Sequence, residues 1–176
     1  MNVPIDDQIS QFPNLHRLLE LSWVELNDLD KEQTVVLIPV SPIEEHGPHL
    51  PIGTDILGAH DIAEAAAQNL CRAHNELHVV LAPALPLGCA PITADFPGTI
   101  SISGTTFSKL LVEVFENLVK NGFRYIIVTN HHLDSMHLKA IIDAIENVEQ
   151  QYDVRIIETA GRLLYSGIPL GEIEAG

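Results

Sequence analysis

The chain has few cysteines, few basic residues and no long hydrophobic run, and each shortage excludes a class of protein. The two cysteines, Cys71 and Cys89, form no CxxC pair and are expected to be small buried side chains in a reducing setting. Nine Lys and Arg stand against 24 Asp and Glu, so the basic surface that nucleic acid or an anionic membrane requires is lacking. No apolar run can span a bilayer, and the N-terminus lacks the features of a signal peptide. A cytoplasmic protein is expected.

Aromatic residues are also scarce, at 5% of the chain, whereas hydrophobic residues together reach 46%, so an aliphatic core is expected. The length of 176 residues suits a single domain over 1–176, and no linker or repeat divides it. Short β-branched runs predict strands at Thr34–Ile38, His78–Ala82, Tyr125–Thr129 and Val154–Ile157, with a weaker one at Thr99–Ile102. The first and third runs are almost wholly apolar, which is typical of strands covered on both faces.

Helical periodicity separates these strands. Apolar spacing predicts helices over about 55–72, 110–119 and 138–148, and a further helix around 15–21. Thr105 or Thr106 is expected to cap the second of these, and Gly122 to end it. The order of elements predicts an α/β domain with a mostly parallel sheet.

Two clusters of acidic residues and histidines follow predicted strands. Glu44 and His46 come after the first strand, with Asp55 shortly beyond, and His132 and Asp134 come after the third. The carboxyl ends of neighbouring parallel strands meet at one edge of a sheet, where ligands bind, so the clusters are expected to face each other. Residues two apart in an extended segment point the same way, so each pair presents both side chains together.

These side chains are suitable metal ligands. Each pair combines an imidazole with a carboxylate, and Asp55 adds a carboxylate able to bridge two ions. Mixed nitrogen and oxygen ligands suit zinc or manganese better than magnesium or calcium. Two ions roughly 3.5–4 Å apart polarise a carbonyl and generate hydroxide at neutral pH. On spacing alone the alternative stays open: with nine histidines, chance pairings of solvated or hydrogen-bonded side chains are easy.

The segment Leu37–Asp55 carries a resemblance to a known family. It reads LIPVSPIEEHGPHLPIGTD and closely resembles the creatininase signature PxGSxEQHGPHLPLxTD. Phe96–Ser101 resembles the family's FPGTISL segment, Asn121–Asn130 its GFRRIVIVNGHGGN strand and turn, and Ser22–Leu26 its LTWxE piece. The chain therefore resembles the creatininase (creatinine amidohydrolase) family over nearly its whole length.

This resemblance implies a three-layer α/β/α fold, a pair of zinc and/or manganese ions, hydrolysis of cyclic amide or related C–N bonds, and a homo-oligomer, commonly a hexamer. It implies a small-molecule amide substrate, with no nucleic acid or membrane as partner. By motif position, Glu44 and His132 resemble ligands of the first ion. His46 and Asp134 resemble ligands of the second, and Asp55 the bridging carboxylate.

Three features depart from the family's pattern. His131 stands where the family has a glycine, at a position where a left-handed or tight turn is expected. Asp134 is one methylene shorter than the family's glutamate. The chain ends about where the family's HAGxxETS segment begins, so the C-terminal part of the fold and its catalytic histidine are expected to be missing.

Two residues are candidates for proton transfer. His131 is a candidate to replace the absent C-terminal histidine, with a metal ligand or a substrate contact as its alternatives. Glu45 lies beside the ligand pair, and its alternative is a solvated carboxylate that supports the site.

The resulting prediction is a hydrolase that cleaves a cyclic amide with a metal-activated water. Two alternatives stay open. One is a metal-binding subunit without catalysis, and the other is a deformylase or peptide-processing hydrolase with the same site.

Overall fold

Five short strands form one parallel sheet in residues 12–161, the part of the chain that the computed structural model describes. In chain order they are β1 (Leu15–Arg17), β2 (Thr34–Pro39), β3 (His78–Leu81), β4 (Tyr125–Thr129) and β5 (Arg155–Glu158). In space the order is β1-β3-β2-β4-β5. The C-terminal end of β2 therefore lies between β3 and β4, and the four main predicted strands are confirmed to within about a residue.

Helices cover both faces of this sheet, as the predicted three-layer fold requires. They are α1 (Trp23–Asp28), α2 (Thr54–Ala73), α3 (Gly104–Lys120) and α4 (Ser135–Glu149), and 3-10 turns occupy Leu18–Glu20 and Lys31–Gln33. Helix α2 packs on one face, whereas α3 and α4 pack on the other and against each other. None of the described helices is long and apolar enough to cross a lipid bilayer.

The central strands are apolar on both sides because both sides are buried. In β2, Val36 and Ile38 belong to the cluster that includes α3 and α4, whereas Leu37 belongs to the cluster beneath α2. The larger cluster is built on Phe107 and Phe115 of α3, both fully buried. The continuous apolar run of β2 thus follows from the layered fold.

The predicted helix around 15–21 is wrong. Leu15–Arg17 pairs in parallel with β3, Leu15 opposite Val79, and a 3-10 turn follows. The apolar spacing misleads because the leucines separate: Leu15 packs in the cluster beneath α2, whereas Leu18 packs against the cluster on the opposite face. A helix cannot reach both faces of a sheet, but an edge strand followed by a turn can.

Two smaller predictions are also corrected. The weak strand at Thr99–Ile102 is not a strand, since only Ile100 forms an isolated antiparallel bridge, to Ile43. Helix α3 is capped by Ser103, whose hydroxyl accepts the N–H of Thr106, so neither predicted threonine is the cap. Gly122 does follow α3, with a left-handed φ of 96°. The predicted C-terminal departure near residue 170 lies outside the described residues.

Candidate metal centre

The two predicted clusters meet above the C-terminal ends of β2 and β4. Glu44, Asp55 and His132 each offer a ligand atom, and these atoms lie within 4.8 Å of one another. All three residues are buried. Residues separated by almost ninety positions along the chain thus form one compact group because β2 and β4 are neighbours in the sheet.

Asp55 is the centre of this group. It lies in the first turn of α2, where the partial positive charge of the helix favours a carboxylate, and its side chain is only 5% exposed. Its Oδ1 atom lies 3.1 Å from His46 Nε2 and 3.2 Å from His131 Nδ1. Its Oδ2 atom lies 3.0 Å from His132 Nδ1. The two oxygens of one carboxylate therefore face different imidazoles.

The His132 ring is held by hydrogen bonds on both edges. Its Nε2 atom lies 2.9 Å from the backbone carbonyl of Cys89, which can only accept, so Nε2 carries the proton and donates it. The remaining nitrogen, Nδ1, then faces Glu44 Oε1 at 2.9 Å as well as Asp55. Two buried carboxylates repel the lone pair of an uncharged Nδ1, so a proton or a metal cation must lie between this nitrogen and the carboxylate oxygens.

The His46 ring is held in the same way. Its Nδ1 atom donates to the backbone carbonyl of Glu44 at 3.1 Å, which leaves Nε2 directed at Asp55. Gly47 follows with a left-handed φ of 72°, so the chain turns away immediately after His46. Imidazoles that ligate metals commonly donate their other N–H to a carbonyl or carboxylate.

The carboxylates and imidazoles of this group shift one another's pKa values. Burial alone raises the pKa of Asp55, but the hydrogen bonds from His132 and His131 and the nearby imidazole charges outweigh it and lower that pKa to about 2. Burial alone lowers the pKa of His132, but its hydrogen bond to Asp55 and the charge of Glu44 raise it overall. The pKa of His46 is raised similarly, against partial burial, by the Glu44 carbonyl and the Asp55 charge. The pocket favours positive charge at these nitrogens.

These residues fit a divalent cation on the chemistry of their donor atoms. Two acidic side chains and the free nitrogen of His132 converge on one small volume, and the free nitrogen of His46 lies 3.1 Å from Asp55 Oδ1. Such mixed oxygen and nitrogen donors suit zinc or manganese. A cation there replaces the protons that the imidazoles otherwise need.

The structure does not bring Asp134 into this group. Its Oδ1 atom accepts the backbone N–H groups of Met136 at 2.7 Å and His137 at 3.3 Å, and it thereby caps α4. The Glu45 carboxylate accepts the N–H of Gly47 at 2.8 Å. It orders the turn that follows His46.

Several residues that support the site were not selected from the sequence. Asn130 Oδ1 accepts from the hydroxyl of Ser41 at 3.0 Å and from the N–H of His132 at 2.9 Å, which joins the loops after β2 and β4. Thr93 donates its hydroxyl to Glu44 Oε2 at 2.6 Å. Asn130 and Ser41 lie within the segments that resemble the family, but the ligand spacing gave no signal for them.

His137 is a second support for the site. It is fully buried, and its Nδ1 accepts the N–H of Cys89 at 3.3 Å, so the residue whose carbonyl holds His132 is itself held. The ring stacks on Phe107, with centroids 4.8 Å apart, and meets the His132 ring edge-on at 5.0 Å. Burial, followed by the charge of His132, lowers the pKa of His137 to about 3, so this ring stays neutral.

The comparison with known protein families agrees with this geometry. The sequence profile of the creatininase family, described as creatinine amidohydrolase, matches residues 19–171. The chain belongs to the creatininase family. The match includes every residue of the candidate metal centre.

Relatives and solved structures of this family share the fold. The chain is 35% identical over 97 residues to the mycofactocin precursor peptide peptidase of Mycolicibacterium smegmatis, covering 55% of this chain and 39% of that protein. It is 25% identical over 131 residues to the creatinine amidohydrolase of Pseudomonas putida, covering 70% and 48%. A solved structure described as "Creatininase Mn" superposes with a TM-score of 0.70 at 20% identity, covering 88% of this chain and 65% of that one. This creatininase-family chain spans less than half the length of the curated relatives it matches.

The raised imidazole pKa values predict how stability depends on pH and metal. A group with a raised folded-state pKa stabilises the fold fully below its ordinary value, here 6.5, and this contribution is lost as pH rises through the folded pKa. Metal-free protein should therefore lose stability above about pH 6.5. Because ions compete with protons for these nitrogens, added zinc or manganese should raise the melting temperature more at about pH 8 than at about pH 6.

Thermal unfolding with a chelator or with excess metal, at both pH values, checks this prediction. Asp55 contributes in the opposite sense: its lowered pKa stabilises the fold above about pH 4, and this is lost as pH falls toward 2. An equal metal-induced shift at both pH values would contradict the assignment of His46 and His132 as ligands.

Proposed function

We propose that this creatininase-family chain is a metal-dependent hydrolase that cleaves an amide C–N bond, with a pair of zinc and/or manganese ions held around Asp55. One observation supports this above all: His46 and His132 direct a free ring nitrogen at different oxygens of the same buried carboxylate. The proposed ligands of the first ion are Glu44, Asp55 and His132. Those of the second include His46 and Asp55, and the sequence predicted Asp134 as a further one.

Bound at this place, divalent ions supply Lewis acidity, which polarises an amide carbonyl and makes a water molecule acidic enough to attack at neutral pH. The chain's own residues supply charge and orientation. The Thr93 hydroxyl and the Cys89 carbonyl fix the Glu44 carboxylate and the His132 ring before anything binds. Groups held in this way lose little freedom on binding, so the site is organised in advance for the reaction.

Proton transfer to the leaving amine needs a group at the mouth of the site. The proposed candidates are Glu45, which uses Oε2 to accept the Gly47 N–H, and His131, whose side chain is 48% exposed beside Asp55. Both lie within the loops that carry the ligands, so both can reach a substrate held there.

The resemblance favours a small cyclic amide as the substrate. A peptide is the second candidate, because the relatives with 32–35% identity are described as peptidases of a precursor peptide. Large apolar side chains also stand exposed on the loops around the site and on the first turn of α4, and a peptide can cover more of them than a small ring can. These side chains are Leu50, Ile52, Ile92, Phe96, Leu133 and Met136.

A substrate screen tests this proposal. The metal-free chain should gain turnover when zinc or manganese is added, measured as amine release from cyclic amides and ureides, formamides and short peptides in parallel. Ring-amide turnover supports the first substrate class, and peptide turnover the second. Bound ions without amine release from any class would contradict catalysis and indicate a non-catalytic metal-binding subunit instead.

A further inference from the structure

Asp134 is poorly placed to act as a ligand of the second ion. Asp134 accepts two N–H groups at the start of α4, and an aspartate cap of this kind stabilises a helix. Turning the carboxylate toward Asp55 breaks these hydrogen bonds and exposes the orphan donors of the helix.

His131 already lies where such a ligand is needed. Its Nδ1 atom is 3.2 Å from Asp55 Oδ1, the oxygen that His46 Nε2 also approaches at 3.1 Å. The other oxygen, Oδ2, faces His132. His131 and His46 are therefore grouped on one side of the carboxylate, and His132 on the other.

The fold provides room for this ring. Gly58 follows Asp55 by less than one turn of α2, and a Cβ atom there would lie 2.9–3.2 Å from atoms of the His131 imidazole. Alanine at this position would push the ring from its place. Because Gly58 has no side chain, the space beside it is available to the His131 ring.

The backbone of His131 also accepts the imidazole without strain. No non-glycine residue in 12–161 has a positive φ, so the left-handed turn expected at this position does not form. The N–H of His131 donates to the Ser41 hydroxyl at 3.1 Å, which fixes the start of the turn after β4. The ring therefore points at Asp55 without left-handed strain in the backbone of His131.

We infer that His131, through Nδ1, binds the second ion together with His46 Nε2 and Asp55 Oδ1, and that Asp134 serves only as the cap of α4. This assignment rests on the proposed two-ion function, gives the second ion two nitrogen ligands and leaves Glu45 as the candidate for proton transfer. Two imidazoles and one carboxylate oxygen form a donor set well suited to zinc.

Zinc stoichiometry and affinity of the full chain test the inference without reference to turnover. The wild type should retain two zinc ions per chain after dialysis, measured by elemental analysis. His131→Ala should retain one, with affinity for the second weakened at least about 100-fold in a chelator competition. Gly58→Ala should weaken binding of the same ion, because it displaces the His131 ring without removing any ligand side chain.

Asp134→Asn is the matched control. Asparagine caps helices as well as aspartate does, but it removes the charge that a metal ligand needs. This variant should retain both ions at nearly wild-type affinity. His131→Ala should fold, because the side chain it removes is half exposed, and its melting temperature in chelator confirms this.

The outcomes separate the two proposals. Loss of the second ion from Asp134→Asn but not from His131→Ala would overturn the role of His131 and leave the proposed function standing. Two ions retained by both variants would also overturn it. A wild type that binds no zinc or manganese would instead remove the metal-dependent function itself.

Discussion

Asp55→Asn should abolish both metal binding and turnover, because both oxygens of this one carboxylate face imidazoles of the site. Asparagine keeps the size and one oxygen but loses the charge that offsets a cation in a buried position. A metal ion commonly supplies several kcal/mol of transition-state stabilisation, and about 4 kcal/mol corresponds to roughly a thousandfold loss in kcat/KM.

Elemental analysis and amine-release kinetics measure this effect. The control is Asp61→Asn, which makes the same chemical change on the same helix at a side chain that is 83% exposed. It should leave ion content and kinetics unchanged. An Asp55→Asn protein that keeps two ions and wild-type kcat/KM would show that the carboxylate is only structural.

Phe107→Ala should reduce the free energy of unfolding by about 3–5 kcal/mol and also weaken zinc binding. Phe107 is fully buried in α3, so its removal leaves a cavity in the larger core cluster. It also stacks on His137, which accepts the N–H of Cys89, and the carbonyl of Cys89 orients His132. Loss of such support for a ligand typically reduces metal affinity about 10–100-fold.

Phe115→Ala separates the two effects. Phe115 lies in the same helix and is equally buried, but the structure gives it no stacking contact with His137. Urea unfolding of the metal-free proteins should show losses of similar size, whereas chelator competition should show weaker zinc binding for Phe107→Ala alone. Phe107→Leu provides a milder variant if the alanine protein does not fold. Equal zinc affinities in folded Phe107→Ala and Phe115→Ala would contradict the supporting role.

The proposed site also accounts for the long loop after β3. This segment supplies the Cys89 carbonyl and the Thr93 hydroxyl that hold His132 and Glu44. These contacts come from one backbone carbonyl and one hydroxyl, so no pattern in the loop sequence pointed to them. Its contacts thus became visible only with the fold.

The sequence by itself determined the layered fold and most of the cluster. The apolar runs of β2 and β4 require cover on both faces, and the amphipathic stripes of α2, α3 and α4 supply it. Given adjacent parallel strands, ligand-type residues directly after β2 and β4 had to share one edge of the sheet. These inferences succeeded because hydrophobic periodicity and the succession of elements along the chain are properties of local sequence.

The tertiary structure decided what depends on partners distant in the chain. Leu15 lies in an edge strand instead of a helix because β3 offers a free edge for pairing. Asp134 caps a helix because the first N–H groups of α4 are its nearest donors, and His131 reaches Asp55 because Gly58 leaves space for its ring. Hydrogen bonds to backbone groups and space left by a glycine carry no periodic signal, so only the folded chain reveals them.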